Sequence, residues 1–195
     1  MFEVFEQYME KMVPGLTTEQ VNLMRSMCSM KKMRKRQMLL REGEVSRHKI
    51  FVAKGLLRNY SIAENGYEYI VRFTDVDGWT KDPESYYSGL PSKYNIDAVE
   101  PSEVIMFTRE DFEGLKQMIP VLAAFSENVI TANAGLIQKR VLMNISASAE
   151  EKYIDFIETY PNIFHRIPLH MVASYLGVSR ETLTRIRQGL AVVTK

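Results

Sequence analysis

The run "LLRNYSIAENGYEYIVRF", Leu56 to Phe73, constrains the fold of this chain more than any other. Asn65-Gly66 lies between two β-rich runs. Asn-Gly favours a type I′ turn, whose two central residues both need positive φ, so this stretch predicts a β-hairpin. A chain that carries it is not helical throughout. The neighbouring sequence extends the pattern: "RQMLLREGE", "KIFVAKG" with Gly55, "KYNIDAVE" and "EVIMFT", the last two separated by Pro101. Six or more short strands with tight turns predict an antiparallel, jelly-roll-like β-roll over about residues 29–108.

Helices flank the roll. In residues 2–27, Phe2, Phe5, Met9 and Met12 recur at helical spacing before Pro14-Gly15 breaks the chain. Thr17 or Thr18 then caps a second helix with Val21, Met24 and Met27 inward. The run "KKMRKR", Lys31 to Arg36, sits beside a predicted strand and reads as a solvated edge. After "REDFEGLKQM", the segment Val121 to Ile145 contains neither proline nor a turn cluster. It places Leu122, Phe125, Val129, Ala132, Leu136 and Met143 at alternating steps of three and four, with Lys139 in the one missing position. This is the spacing of a coiled-coil seam, and it predicts a dimer. Ile130, Ala134, Ile137, Val141 and Ile145 form a second apolar edge. One edge is expected to pack on the strand domain and the other on a second subunit.

The stretch "MVASYLGVSRETLTRIRQGL", Met171 to Leu190, meets the steric demands of a helix-turn-helix. Leu169, Val172, Ala173 and Leu176 form the inner face of its first helix, with Pro168 in the first turn. Ala173 is small where the helices cross, and Gly177 supplies the turn. Val178 fills the corner, Ser179 caps the second helix, and Leu183 and Ile186 point inward. Arg180, Glu181, Thr184, Arg185 and Gln188 share the opposite face. Arginine can donate two bonds to guanine, and glutamate can accept from the cytosine amino group. Ser179, Thr182 and Arg187 suit phosphate contacts at the helix start and flanks. The chain is nearly neutral, at +1, so nucleic-acid affinity must come from a local patch. From Pro161 onward five cations (Arg166, Arg180, Arg185, Arg187, Lys195) face the single acid Glu181.

With "GVSRETLTRIR" as its recognition-helix motif, the sequence resembles the CRP/FNR family of bacterial transcription regulators. The resemblance extends over nearly the whole chain, with "IFVAKGLLRNYSIAENGYEYIVRFTDVDGW" matching the roll. It implies an α+β fold in three parts. Residues 1–118 would be a cyclic-nucleotide-binding-like sensor, 119–146 a long dimerisation helix, and 147–195 a winged-helix-like helix-turn-helix. It implies base contacts by Arg180, Glu181 and Arg185, and phosphate contacts by Ser179, Thr182 and His170, with Arg187 and Gln188 beside them. Its wing is reduced, since "LAVVTK" after Gly189 is enough for one strand at most.

The pocket departs from the family pattern. Cyclic-nucleotide binders carry Gly-Glu for the ribose and Arg-Ser or Arg-Thr for the phosphate. Here "DGWTKDPES" lacks Gly-Glu, and Ser92 and Lys93 stand where the arginine and its neighbour belong. Neither reproduces the bidentate fork of an arginine. The sequence therefore predicts no tight binding of cyclic AMP. Trp79, Lys81, Ser92 and Lys93 are left as the candidate pocket for an unknown small-molecule effector, such as another anion; a degenerate pocket without a ligand is the equal alternative.

Other chemistry finds little to work with. Cys28 is the only cysteine, too few for a disulfide or a four-cysteine cluster, and His48, His165 and His170 are scattered. No nucleophile elbow, paired metal histidines or glycine-rich phosphate loop is present, so no enzyme, metal or cofactor is expected. With neither a signal peptide nor a bilayer-spanning run, the expectation is a cytoplasmic protein without a membrane partner. Its partners would be double-stranded DNA, a second copy of itself and RNA polymerase. The competing reading is an alternative sigma factor ending in a helix-turn-helix, which would be helical throughout.

Overall fold

The computed structural model describes residues 1–193. The chain opens with helices α1 (Phe2–Met12) and α2 (Thr18–Ser26). Strands follow: β1 (Ser29–Met33), β2 (Met38–Leu40), β3 (His48–Lys54), β4 (Leu57–Ile62), β5 (Glu68–Thr74) and β6 (Trp79–Thr80). Then come α3 (Pro83–Ser88), β7 (Asn95–Ala98), β8 (Ser102–Thr108), α4 (Arg109–Met118) and α5 (Pro120–Ser146). The chain closes with α6 (Ala149–Thr159), α7 (Pro161–Phe164), α8 (Leu169–Leu176) and α9 (Arg180–Val193). The fold is α+β, with two antiparallel sheets of four strands ordered β1-β8-β3-β6 and β2-β7-β4-β5. Two sheets leave an all-helical sigma-factor fold without support.

Two compact units emerge, and they divide the chain differently from the sequence pattern. The first holds residues 1–61 and 72–131; the second holds 62–71 and 132–195. The tip of the β4–β5 hairpin thus belongs to the C-terminal unit, and α5 contributes to both.

In the first unit, β3 is buried on both faces, which is why "KIFVA" reads as an unbroken apolar run. Ile50 and Val52 enter a core between the sheets with Leu57, Ile96 and Val104. Phe51 and Ala53 face the other way, into a cluster with Phe5, Met9, Trp79, Phe107, Phe112, Leu122 and Phe125. Rings meet edge-on there: Phe5 and Phe51 at 5.2 Å, Phe51 and Trp79 at 5.2 Å. The offset suits the ring quadrupoles. Full burial of one such ring stabilises the fold by roughly 1.5–3 kcal/mol. Of the α1 residues expected inside, Phe2, Phe5 and Met9 are buried, but Met12 is 47% exposed. It occupies the last turn, beyond the strand that α1 covers.

The predicted dimer stripe is split. Leu122 and Phe125 are buried in the first unit's own core, and partly buried Val129 packs against it, so the first two are already covered within the chain. Ala132 and Leu136 are exposed and Met143 is half-buried. The second edge is open along its length: Ile130, Ile137, Val141 and Ile145 are 47%, 61%, 52% and 79% exposed.

In the second unit the hairpin is present, but its turn is not type I′. Only Gly66 has positive φ, at 78°, and Asn65 does not. Gly66 N–H bonds Ala63 O at 2.8 Å and Ala63 N–H bonds Tyr67 O at 2.9 Å. This is a three-residue loop, a type I turn closed by a left-handed glycine. The Asn65 side chain accepts from Tyr67 N–H at 3.0 Å. Asn-Gly thus marks the hairpin through the left-handed glycine and the asparagine side chain, not through two positive φ angles.

Candidate nucleic-acid interface and sensor cassette

α8 and α9 form the expected helix pair. Val172, Ala173, Leu176 and Leu183 are each 5% exposed or less. Pro168 is the N-cap of α8, one position before the first turn, and Gly177 ends the helix at φ 68°. That left-handed conformation suits glycine and lets Val178 N–H reach back to Ala173 O at 3.1 Å. Ser179 caps α9: its hydroxyl accepts from Thr182 N–H at 3.1 Å. Arg180, Glu181, Thr184, Arg185 and Gln188 are all exposed, on the face opposite Leu183. Glu181 accepts from its own backbone N–H and from Ser179, which with Arg180 nearby holds its carboxyl below the usual range. It is therefore an ionised acceptor at neutral pH. Thr184 donates its hydroxyl to Arg180 O at 2.8 Å, so that proton is spent within the helix.

Of the phosphate-contact candidates, Ser179, His170 and Gln188 are exposed and Thr182 is half-buried. Arg187 is exposed as well, and it has neighbours within the chain. Its guanidinium lies 5.7 Å from the Phe164 ring and bonds the Tyr153 hydroxyl, so it ties α9 to α6 and α7. α9 stays helical to Val193, so no wing strand follows Gly189 among the described residues. Thr194 and Lys195, the end of "LAVVTK", lie outside the described residues.

Sequence reasoning missed what holds the hairpin tip. Ser174, buried on α8, accepts from Ile70 N–H at 2.9 Å and donates to Glu68 O at 2.5 Å. Arg140 of α5 donates to Val71 O, to Ile70 O at 3.1 Å and to Tyr175 O at 2.7 Å. Its guanidinium also stacks 3.9 Å from the Tyr175 ring. A cleft of about 430 Å³ is lined by Tyr67, Glu68, His170, Ser179, Arg180 and Glu181, among others. A serine and an arginine on helices carry no signal for a strand 70 to 100 residues away.

The candidate effector cassette is the stretch from β6 through α3 to β7, and it is filled by its own side chains. Asp82 caps α3, with Oδ1 accepting from Glu84 N–H at 3.1 Å. Its Oδ2 accepts from Ser92 Oγ at 2.7 Å. Ser46 accepts from Asp82 N–H, and Ser85 accepts from Ser46 N–H. All four side chains are buried. Of the four candidate effector residues, Ser92 is thus committed to this network. Lys93 next to it is exposed and pairs with Glu84 at 3.3 Å. Trp79 belongs to the aromatic core, and Lys81 lies over the rings of Tyr86 and Tyr87 at 3.9 and 4.0 Å. The four do not converge on one point.

Comparison with known proteins now has a geometry to rest on. Residues 30–118 match the cyclic nucleotide-binding domain family, the β-roll with its cassette. FixK2 from Bradyrhizobium japonicum superposes with a TM-score of 0.75 at 17% identity, covering 86% of each chain. The c-di-GMP-responsive global regulator CLP of Xanthomonas campestris gives 0.72 at 10% identity, covering 91% of this chain and 93% of that one. A protein from Eubacterium rectale described as a transcriptional regulator of the CRP/FNR family gives 0.70 at 16% identity, covering 94% and 88%. Among curated proteins no sequence relative matches. Residues 30–118 are thus similar in sequence to cyclic nucleotide-binding domains. The chain as a whole has the fold of the CRP/FNR transcription regulators. Among the described residues, no helix is long and apolar enough to cross a membrane, and no cluster of His, Cys, Asp or Glu is placed to hold a metal.

Proposed function

We propose that this protein is a homodimeric, sequence-specific DNA-binding transcription regulator whose cassette does not hold cyclic AMP. The carrying observation is the exposed row Arg180, Glu181, Arg185 and Gln188 on a helix anchored by the fully buried Leu183. Such a row offers a bidentate donor and an ionised acceptor to base edges. Ser179, Thr182 and His170 stand beside it for phosphate contacts. The open edge of α5 supports the dimer, because an apolar ridge of this length is costly to leave in water. Two recognition helices would then sit one DNA turn apart, about 34 Å, on a near-palindromic site. RNA polymerase is the further partner that such a regulator addresses.

Selection of genomic DNA fragments on the purified full chain, run with and without a metabolite extract, tests the reading. The expected result is a short near-palindromic operator. Binding without sequence preference in both conditions would overturn it.

A further inference from the structure

On the helical side of the roll, four cations surround one carboxylate. Lys49 of β3 is 5% exposed, and its ammonium lies 3.9 Å from the Phe112 ring and 4.7 Å from the Trp79 ring. Its hydrogen-bond partner is Ser126 Oγ on α5, at 3.2 Å. An ammonium has three protons to donate, and one hydroxyl accepts one of them. Burial, then Lys81, then Lys116 push the Lys49 pKa down to about 7, with Glu113 opposing. Lys81, over Tyr86 and Tyr87, is pushed down to about 8 by burial and by Lys116 and Arg109, again against Glu113. Glu113 is already taken by Lys116 at 2.5 Å. The Tyr86 hydroxyl, on a residue 2% exposed, has no hydrogen-bond partner among the described residues. The Lys81 ammonium, 3.9 Å from the Tyr86 ring, places that phenol in the same cluster.

Donors therefore outnumber acceptors here: Lys49 bonds Ser126, Lys116 bonds Glu113 and Arg109 donates to Tyr87 O at 2.9 Å, whereas the Tyr86 hydroxyl bonds nothing among the described residues. Two buried or half-buried ammonium groups and an orphaned phenol face an excess of positive charge. Leaving a buried donor unpaired is costly, and so is crowding like charges at low dielectric. An anion between them removes both costs. Tyr87, 45% exposed, and half-buried Lys81 mark the solvent end of the cluster, and Lys49 the core end.

We propose that Lys49, Lys81 and Tyr86, with Lys116 and Arg109 at the rim, form the receptor for a small oxyanion, a carboxylate or a phosphate. The site is separate from the Asp82–Ser92 cassette. It rests on reading the roll as the sensor half, but anion binding is measured without DNA, so the two readings fail separately. Among the residues predicted as an effector pocket, Lys81 and Trp79 are retained, and Ser92 and Lys93 are replaced by residues on β3, α3 and α4.

Trp79 is the only tryptophan of the chain and lies against Lys49, so its fluorescence reports on the site. The full chain is titrated with sodium benzoate and, separately, with inorganic phosphate at constant ionic strength. A saturable change with at least one probe is expected, weakened tenfold or more in Lys81→Met and unchanged in Ser92→Ala. Response to benzoate alone assigns a carboxylate, and response to phosphate alone assigns a phosphate. No saturable response to either probe overturns the proposal. So does unchanged affinity in Lys81→Met, whose half-buried position makes it independent of core stability, or loss of binding in Ser92→Ala.

Discussion

Ser92 donates its hydroxyl to Asp82 at 2.7 Å inside the cassette, and both side chains are 3% exposed or slightly more. A carboxylate thus takes up the hydroxyl that stands where the sequence places the phosphate grip. A cyclic phosphate there would have to displace Asp82 and would meet like charge. Calorimetric titration with cyclic AMP is expected to show no binding at micromolar concentration. Ser92→Arg alone should not restore binding, because Asp82 would pair with the new guanidinium. Micromolar affinity in the unaltered protein refutes this account.

Arginines on α9 separate by role. Arg180→Ala and Arg185→Ala should each lose about 1–3 kcal/mol of discrimination at one operator position, with thermal stability unchanged. Arg187→Ala should lower stability instead, because its guanidinium holds α9 to Phe164 and Tyr153. Binding to operator variants and a melting curve for each mutant distinguish these effects. Wild-type discrimination in Arg180→Ala and Arg185→Ala would remove the recognition-helix assignment.

The helix-turn-helix was legible because its constraints are local. Ala173, Gly177, Ser179 and Leu183 act within a dozen residues, and periodicity reports them directly. The roll was legible as a set of strands for the same reason. What periodicity cannot report is which partner covers an apolar stripe. Leu122 and Phe125 continue the spacing of Leu136 smoothly, yet the first two meet the roll and the third meets solvent. Lys49 lay hidden because a lysine within an apolar strand looks like a surface residue until its neighbours in space are known. Ser174 and Arg140 bond backbone carbonyls of a distant hairpin, which need no particular sequence there.

Burial along α5 gives opposite expectations for two substitutions. Ile137→Glu, on the open edge, should yield monomers by sedimentation with the fold intact. Phe125→Ala should cost about 3–5 kcal/mol of stability, since it opens a cavity in the first unit's core. A dimer that survives Ile137→Glu would place the subunit interface elsewhere.

Lys49 sets a pH dependence. Its ordinary pKa of 10.5 falls to about 7 in the fold, chiefly through burial. Between these values the unfolded chain keeps a proton that the folded chain has released, so stability rises with pH through this window. The penalty is fully present below about pH 7. Urea midpoints at pH 6.5 and pH 9 should therefore differ, and Lys49→Met should flatten the difference. An equal rise in both proteins would mean that Lys49 is not its source.

Ser174 supplies the hydroxyl that both accepts from Ile70 N–H and donates to Glu68 O. Its removal leaves a buried donor without a partner, at a cost of about 1–3 kcal/mol. The cost falls on the hairpin tip, because α8 keeps its own core contacts through Val172, Ala173 and Leu176. In Ser174→Ala, the Ile70 amide should exchange with solvent roughly tenfold to a hundredfold faster, at about 1.4 kcal/mol per factor of ten. Amides of α9, N-capped by Ser179, should keep their protection. Unchanged exchange at Ile70 would show that the two bonds Arg140 donates to the hairpin, at Val71 O and Ile70 O, are enough to hold it by themselves.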